Sequence, residues 1–87
     1  MFTVYVLHSP AYDKIYVGYT SDLNNRMLSH NELATKGYTI KYRPWNLIYI
    51  EEFSTKTEAL IREKQLKSSK GRAFIREMTN SELHKRA

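Results

Sequence analysis

With 87 residues, no cysteine, and 14 Lys plus Arg against 9 Asp plus Glu, the chain has the makings of one small basic domain. A chain this short buries only about 60–65% of its extended surface. The missing thiols exclude a disulfide scaffold and a thiolate zinc site, no apolar run approaches a membrane span, and the net charge of +5 favours a polyanion, nucleic acid before anionic membrane.

The N-terminal MFTVYVLHS lacks a basic region leading into an apolar stretch and a cleavage site, so a soluble cytoplasmic protein is the default expectation. Val4 to Tyr19 reads as two short strands around a turn. Val4–Leu7 and Ile15–Val17 are aliphatic or aromatic, as a pleated surface requires. Between them Ser9-Pro10-Ala11-Tyr12-Asp13 carries turn chemistry and is too short for a helical crossover, which predicts antiparallel pairing. Alternation sets Tyr5 and Leu7 on one face, Val4 and Val6 on the other, and separates Tyr16 from Ile15 and Val17. The tyrosines suit either a core or a pocket. Gly18 is expected to end the second strand, through an unusual backbone angle or a close approach.

Thr20 or Ser21 can cap a helix that runs to about Asn31 or Leu33, with Asp22 in its first turn. Leu23, Met27, His30 and Ala34 share one stripe of it, bordered by Arg26. Residues 35–46 follow as a basic, aromatic connection. Lys36, Lys41 and Arg43 alternate there with Tyr38, Tyr42 and Trp45, a mixture suited to phosphate contact and base stacking. Trp45 equally suits the closing of a small core.

Leu47–Phe53 is the third strand, and its apolar run Leu47-Ile48-Tyr49-Ile50 predicts a covered or central position. Thr55-x-x-Glu58 is a capping box that opens the next helix. Glu63 falls in the middle of the arc marked by Ala59, Leu60 and Leu66 at about 100° per residue, while Ile61 points away. A carboxylate on an apolar arc needs a partner, whether Arg26 as an ion pair, hydrogen bonds, or a metal ion. Ser68-Ser69-Lys70-Gly71 breaks the pattern. A short helix from Arg72 to Met78 follows, packing through Phe74, Ile75 and Met78, and Thr79-x-x-Glu82 suggests a cap for a last turn in which His84, Lys85 and Arg86 are exposed. Arg62, Lys64, Lys67, Lys70, Arg72 and Arg76 crowd one region in which Glu63 is the single acid.

Two strand tyrosines, Arg26 and His30 on one helix face, and Glu63 on another helix are the ingredients of a phosphodiester site. A single carboxylate can hold one Mg²⁺ whose remaining positions are water. An arginine can grip non-bridging oxygens, and a tyrosine with a cationic neighbour can accept or relay a proton.

These residues resemble the GIY-YIG nuclease superfamily, specifically its small stand-alone, UPF0213-like members. The two name-giving triplets stand as Val4-Tyr5-Val6 and Tyr16-Val17-Gly18, followed in order by Arg26, His30 and Glu63, and the likeness spans about residues 2–77. The resemblance implies an α+β domain, a three-stranded antiparallel sheet flanked by helices. It implies a Mg²⁺-dependent DNA endonuclease, with Mn²⁺ a substitute, that leaves 5′-phosphate and 3′-hydroxyl ends on branched or single-stranded DNA, with a homodimer or partner protein as aids to targeting.

By the same resemblance Tyr5 stands near the attacking water and Tyr16 is the second site tyrosine, a general base in some members. Arg26 contacts phosphate, His30 assists proton transfer or positioning, Glu63 is the metal ligand, and Gly18 lets backbone approach the site. Lys41, Arg43, Lys67, Lys70 and Arg72 are the expected nucleic-acid contacts. The sequence departs from the pattern in three places. Val4 replaces the first glycine, Tyr19 stands where some members have lysine, and no asparagine lies between Ser68 and Thr79. A nucleic-acid-binding module that cuts nothing, and a basic interaction domain with structural tyrosines, are the alternatives.

Overall fold

The computed structural model describes the backbone of residues 1–86 and the side chains through Asn80. Strands β1 (Phe2–Ser9), β2 (Lys14–Thr20) and β3 (Asn46–Phe53) form one antiparallel sheet in the order β2-β1-β3. The connection between β2 and β3 holds α1 (Leu23–Leu28), a π-helical turn (Ser29–Leu33) and a 3-10 helix (Tyr38–Tyr42). After the sheet come α2 (Lys56–Leu66) and α3 (Ser69–Arg86). This is the expected α+β architecture.

The central strand is β1, not β3. Val4 through Ser9 are all buried, because β1 has a strand on each edge and helices on both faces. β3 lies at an edge, and its Leu47 and Ile50 are 41% and 44% exposed, which corrects the expectation of a covered strand. Four consecutive apolar residues fit an edge strand here because the register shifts. Val6 pairs with Tyr49 and Leu7 with Leu47, so Ile48 is an extra residue in a β-bulge.

Alternation along β1 divides the core as expected. Val4 and Val6 join Val17, Ala59, Leu66 and Ile75 under α2 and α3. Tyr5 and Leu7 join Trp45, with Tyr16, Leu23, Met27 and Tyr42 beside them, under α1 and the 3-10 helix. Val4 thus stands on the face opposite Tyr5, where a side chain adds packing and a glycine would leave a gap.

Local capping departs from expectation in two places. Asp22, rather than Thr20 or Ser21, caps α1 by accepting from Asn25 N at 3.1 Å, and Asp22 N donates to Thr20 Oγ1 at 3.0 Å. Thr79 caps nothing. It lies inside α3, where its hydroxyl donates to Arg76 O at 3.0 Å, and α3 runs unbroken from Ser69 instead of starting at Arg72. The capping box at Thr55 is present, with Glu58 N donating to Thr55 Oγ1 at 3.3 Å and the threonine hydroxyl donating to Glu58 Oε1 at 2.9 Å. Leu60 is 41% exposed, so the buried arc of α2 is narrower than its sequence suggests, and Phe74, at 41%, contributes less than Ile75. Gly71 explains how α3 starts so soon after α2. A Cβ there would run into the Gln65 carbonyl and the Leu66 backbone. The expected exposure of His84, Lys85 and Arg86 concerns side chains outside the described residues.

Candidate active site

Tyr5 and Gly18 face each other across β1 and β2. The ring of Tyr5 lies over Gly18, so that a Cβ on Gly18 would sit 2.6 Å from the Tyr5 hydroxyl and 2.7 Å from its ring carbon. Gly18 therefore does not end β2, which continues to Thr20. It makes room for a fully buried phenol.

That phenol is the centre of a hydrogen-bonded chain. Arg26 Nε donates to Tyr5 Oη at 3.4 Å, Tyr5 Oη lies 2.8 Å from His30 Nε2, and His30 Nδ1 lies 3.1 Å from Thr39 Oγ1. With a guanidinium N–H pointing at its oxygen, Tyr5 has its own proton free for His30 Nε2, which must then accept. The remaining imidazole proton sits on Nδ1 and points at Thr39. The electrostatics agree with this arrangement. Burial first, then the Arg26 and Arg43 charges, hold the His30 imidazolium below its ordinary range, so the ring is neutral at pH 7. Burial also pushes the Tyr5 phenol above its usual value, against the Arg26 hydrogen bond and with help from the Tyr16 and Glu63 charges. Tyr5 stays protonated. Arg26 is held even more firmly as a cation, chiefly by its bond to Tyr5.

The local backbone explains how His30 comes to be buried. Six residues of α1 give way to a π-helical turn, in which Ala34 N reaches back to Ser29 O at 3.0 Å. Arg43 fastens this turn, donating to His30 O at 2.7 Å, Ala34 O at 2.8 Å and Ser29 O at 3.2 Å. Arg43 thus caps carbonyls with the donors expected to meet phosphate, while its charge remains beside His30. Trp45 takes the core role. It is 2% exposed, and its indole donates to Thr39 O at 2.7 Å. Asn31 completes the lock, accepting from Trp45 N at 2.7 Å and donating to Trp45 O at 3.2 Å. Thr39, Asn31 and the structural role of Arg43 escaped sequence reasoning, because their partners lie 9 to 14 residues away in a segment without periodicity.

Tyr16 packs its ring edgewise on His30, centroids 4.9 Å apart, and lies 6.3 Å from the Tyr5 ring. Tyr16, Arg26, His30, Lys36, Tyr38 and Thr39 line a cleft of about 220 Å³, so the chain of hydrogen bonds borders solvent through Arg26, His30 and Thr39 while Tyr5 stays buried. The structure therefore brings together Tyr5, Tyr16, Gly18, Arg26 and His30.

Glu63 stands on α2, the helix that packs with Val4 and Val6. Its side chain is only 18% exposed, and Lys67 donates to Oε1 at 3.1 Å, one turn along α2. Of the partners open to Glu63, the basic one is Lys67 and not Arg26, although the Glu63 charge is felt at Tyr5. No group of three His, Cys, Asp or Glu that could hold a metal occurs among the described residues. A sheltered single carboxylate with an ammonium as counter-ion fits a hard divalent cation that keeps most of its water, and does not fit an all-protein cage.

The basic cluster after residue 60 is less free than its composition suggests. Arg62 donates to Glu51 at 2.6 Å and Arg76 to Asp13 at 2.6 Å, and Lys67 is held by Glu63. Lys41, Lys70 and Arg72 are exposed and have no side-chain hydrogen bond or ion pair among the described residues.

Comparison with known proteins places this geometry in context. A family model described as the GIY-YIG catalytic domain matches residues 1–77. The UPF0213 protein YazA of Bacillus subtilis is 44% identical over 69 residues, a stretch covering 76% of this chain and 70% of that protein. A UPF0213 protein of Bacillus velezensis is 40% identical over 72 residues, 79% and 73% of the two chains. One from Staphylococcus epidermidis is 43% identical over 54 residues, 62% and 66%.

Proposed function

The chain belongs to the GIY-YIG family, and from that premise we propose that it is a divalent-metal-dependent endonuclease hydrolysing DNA phosphodiesters. The observation that carries this reading is the Arg26–Tyr5–His30 chain ending at a cleft that Tyr16 also lines.

Substrate phosphate enters at the guanidinium of Arg26. Its Nε is fixed by Tyr5, so the outer edge of the fork faces the non-bridging oxygens and needs no reorganisation on binding. Tyr5 is a permanent hydroxyl, not a base. It orients Arg26 on one side and leans on neutral His30 on the other. Tyr16, which lines the same cleft as Arg26, relays the attacking water's proton, taking it on the phenol oxygen as its own hydroxyl proton passes to solvent in the cleft. Glu63 would hold Mg²⁺ or Mn²⁺ in place of the Lys67 ammonium, and such an ion would supply Lewis-acid stabilisation of charge developing on the phosphate and leaving group. Lys41, Lys70 and Arg72 supply sequence-independent contacts to flanking phosphates, and with so little surface the protein selects by DNA shape, such as flaps or single strands, rather than by base sequence.

Metal-dependent nicking of supercoiled or branched DNA by purified protein is the expected outcome, lost at least about a hundredfold in Glu63→Ala and Tyr16→Phe variants that remain folded. Equal nicking by all three proteins would trace the activity to contamination. Tight, salt-sensitive DNA binding without cutting in any metal would make the chain a binding module. The absence of such binding would leave a basic interaction domain.

A further inference from the structure

A second cleft, of about 360 Å³, lies on the far side of Tyr16, between β2 and the α2–α3 corner. Lys14, Lys67, Arg72 and Arg76 line it together with Tyr16 and Tyr38, and among the described residues no acidic side chain does. We propose that this cleft is a nucleotide subsite, which seats the sugar-phosphate and base of the unit next to the scissile phosphate. The inference rests on the hydrolytic reading above for its adjacency, but its binding chemistry stands on its own.

Three features point to a nucleotide rather than to a bare anion. The first is charge that is left over. Arg76 is paired with Asp13 and Lys67 with Glu63, while the Lys14 ammonium sits 5.7 Å over the Tyr42 ring. Arg72 has no such partner among the described residues, so it is the cation ready for a phosphate oxygen.

The second is a prepared aromatic ring. Tyr38 is 50% exposed, yet it is backed by Tyr42 at 4.9 Å and Trp45 at 6.5 Å, and Trp45 is itself anchored. A ring held from behind and open in front is a stacking platform for a base, with little ordering left to do on binding.

The third is continuity. Tyr16 and Tyr38 line both this cleft and the smaller one beside Arg26 and His30. A strand whose phosphate meets Arg26 has its neighbouring nucleotide directed over Tyr16 into the basic cleft. A volume of 360 Å³ suits one unpaired nucleotide, not a duplex.

Lys67 links the two regions. Its ammonium touches Glu63 and the residue also lines the cleft, so a cation taken up at Glu63 would free the Lys67 ammonium for the nucleotide phosphate. Metal and nucleotide should therefore help one another to bind, and by linkage the effect is reciprocal.

Deoxyadenosine 5′-monophosphate and inorganic phosphate, titrated at low salt and followed by amide NMR shifts, test the inference without any turnover. The nucleotide should move signals of residues 14–17, 38 and 67–76 and bind about tenfold more tightly than phosphate. Tyr38→Ala should abolish that preference, and Arg72→Glu should weaken the nucleotide about tenfold. Arg26→Ala should change it less than about twofold, since that residue lines only the other cleft. Added Mg²⁺ should tighten nucleotide binding in the native protein but not in Lys67→Gln.

Equal affinity for the two ligands, shifts centred on Arg26 and His30, or no saturable binding would overturn the proposal. So would a nucleotide affinity indifferent to Arg72→Glu. The two readings fail separately. A protein that nicks DNA without seating the nucleotide here sinks the subsite alone, and one that seats it without nicking sinks the hydrolysis alone.

Discussion

Val4 and Val6 point to one side of β1, and Tyr5 and Leu7 to the other, yet the two sides are finished differently. Under α2 and α3 the buried residues are aliphatic, with Val17, Ala59, Leu66 and Ile75 around the valines and Phe2, Tyr19, Tyr49 and Phe53 packed at the margin, and the covering helices are regular. On the tyrosine side the cover is six residues of α-helix, a π-helical turn and a 3-10 helix, and the decisive contacts are directional hydrogen bonds. Apolar packing tolerates small displacements. A chain running Arg26–Tyr5–His30–Thr39 does not, because each link sets the proton position of the next. One face supplies stability, and the other holds a geometry.

Truncating the aliphatic face should have the largest effect on stability. Ile75 is wholly buried, so Ile75→Ala is expected to cost about 2–5 kcal/mol in urea unfolding. The surviving folded protein should retain most DNA nicking at low temperature, since Ile75 contributes only an aliphatic wall to the basic cleft and does not line the cleft beside Arg26. If nicking collapses while the protein remains folded by circular dichroism, the two faces are coupled through β1 and the division fails.

Gly18→Ala strikes the boundary between them. The added methyl meets the Tyr5 hydroxyl and ring, and that ring cannot swing away, being fully buried and bonded at its tip. A loss of about 1–3 kcal/mol is expected from the overpacking, together with a fall in nicking larger than the stability loss explains. Native activity in this variant would mean that the phenol can move without consequence.

Tyr5→Phe sharpens the contrast at constant shape. Removing the hydroxyl leaves His30 Nε2 and Arg26 Nε without their partner, for about 1 kcal/mol in stability. Nicking should nevertheless drop at least about a hundredfold, since Arg26 loses its support. A variant with unchanged nicking would remove Tyr5 from the working set.

The same division decides what could be read from the sequence. Period-two alternation in Val4–Leu7 and Ile15–Val17, the capping box at Thr55, and the stripe Leu23–Met27–His30 were all legible, because each depends on neighbours within one element. The edge position of β3 was not. Leu47-Ile48-Tyr49-Ile50 mimics a covered strand when its bulge at Ile48 is unknown, and a bulge is a property of the pair rather than of either strand. Likewise Arg43 and Trp45 have the composition of a nucleic-acid surface, but their donors turn inward to carbonyls 6 to 14 residues away. The early start of α3 was hidden behind Ser68-Ser69-Lys70-Gly71, where Gly71 reads as a breaker but acts as the point of closest helix approach. Of the site itself, Tyr5, Tyr16, Arg26 and His30 were legible from order and type. The Thr39 end of the chain needed three dimensions, whereas Lys67 as the partner of Glu63 stood in the i,i+4 spacing of α2 and was overlooked.

The smallest effect, and the most specific to the tyrosine face, is a pH dependence. The imidazolium of His30 is disfavoured in the folded protein by burial and by the Arg26 and Arg43 charges, whereas in the unfolded chain His titrates near its ordinary value of about 6.5. Below that value the unfolded chain binds the extra proton first, so folding stability is fully present above it and declines as pH falls. Protonation of folded His30, which sets in only below its ordinary value, also removes the acceptor on Nε2 that Tyr5 needs, so nicking by the folded protein should decline at more acidic pH than the onset of the stability loss. Asp13 does not obscure this. Its carboxyl, held below the usual range by His8 and then Arg76, keeps its charge until far more acidic conditions, below its ordinary 3.8. The thermal midpoint of the native protein should therefore fall from about pH 7 to pH 5, with a shallower fall in His30→Gln, which retains a side-chain amide for hydrogen bonding but does not titrate. Identical slopes in the two proteins would show that His30 is not the group that senses acid, and with it would go the neutral-imidazole link on which the orientation of Tyr5 and Arg26 depends.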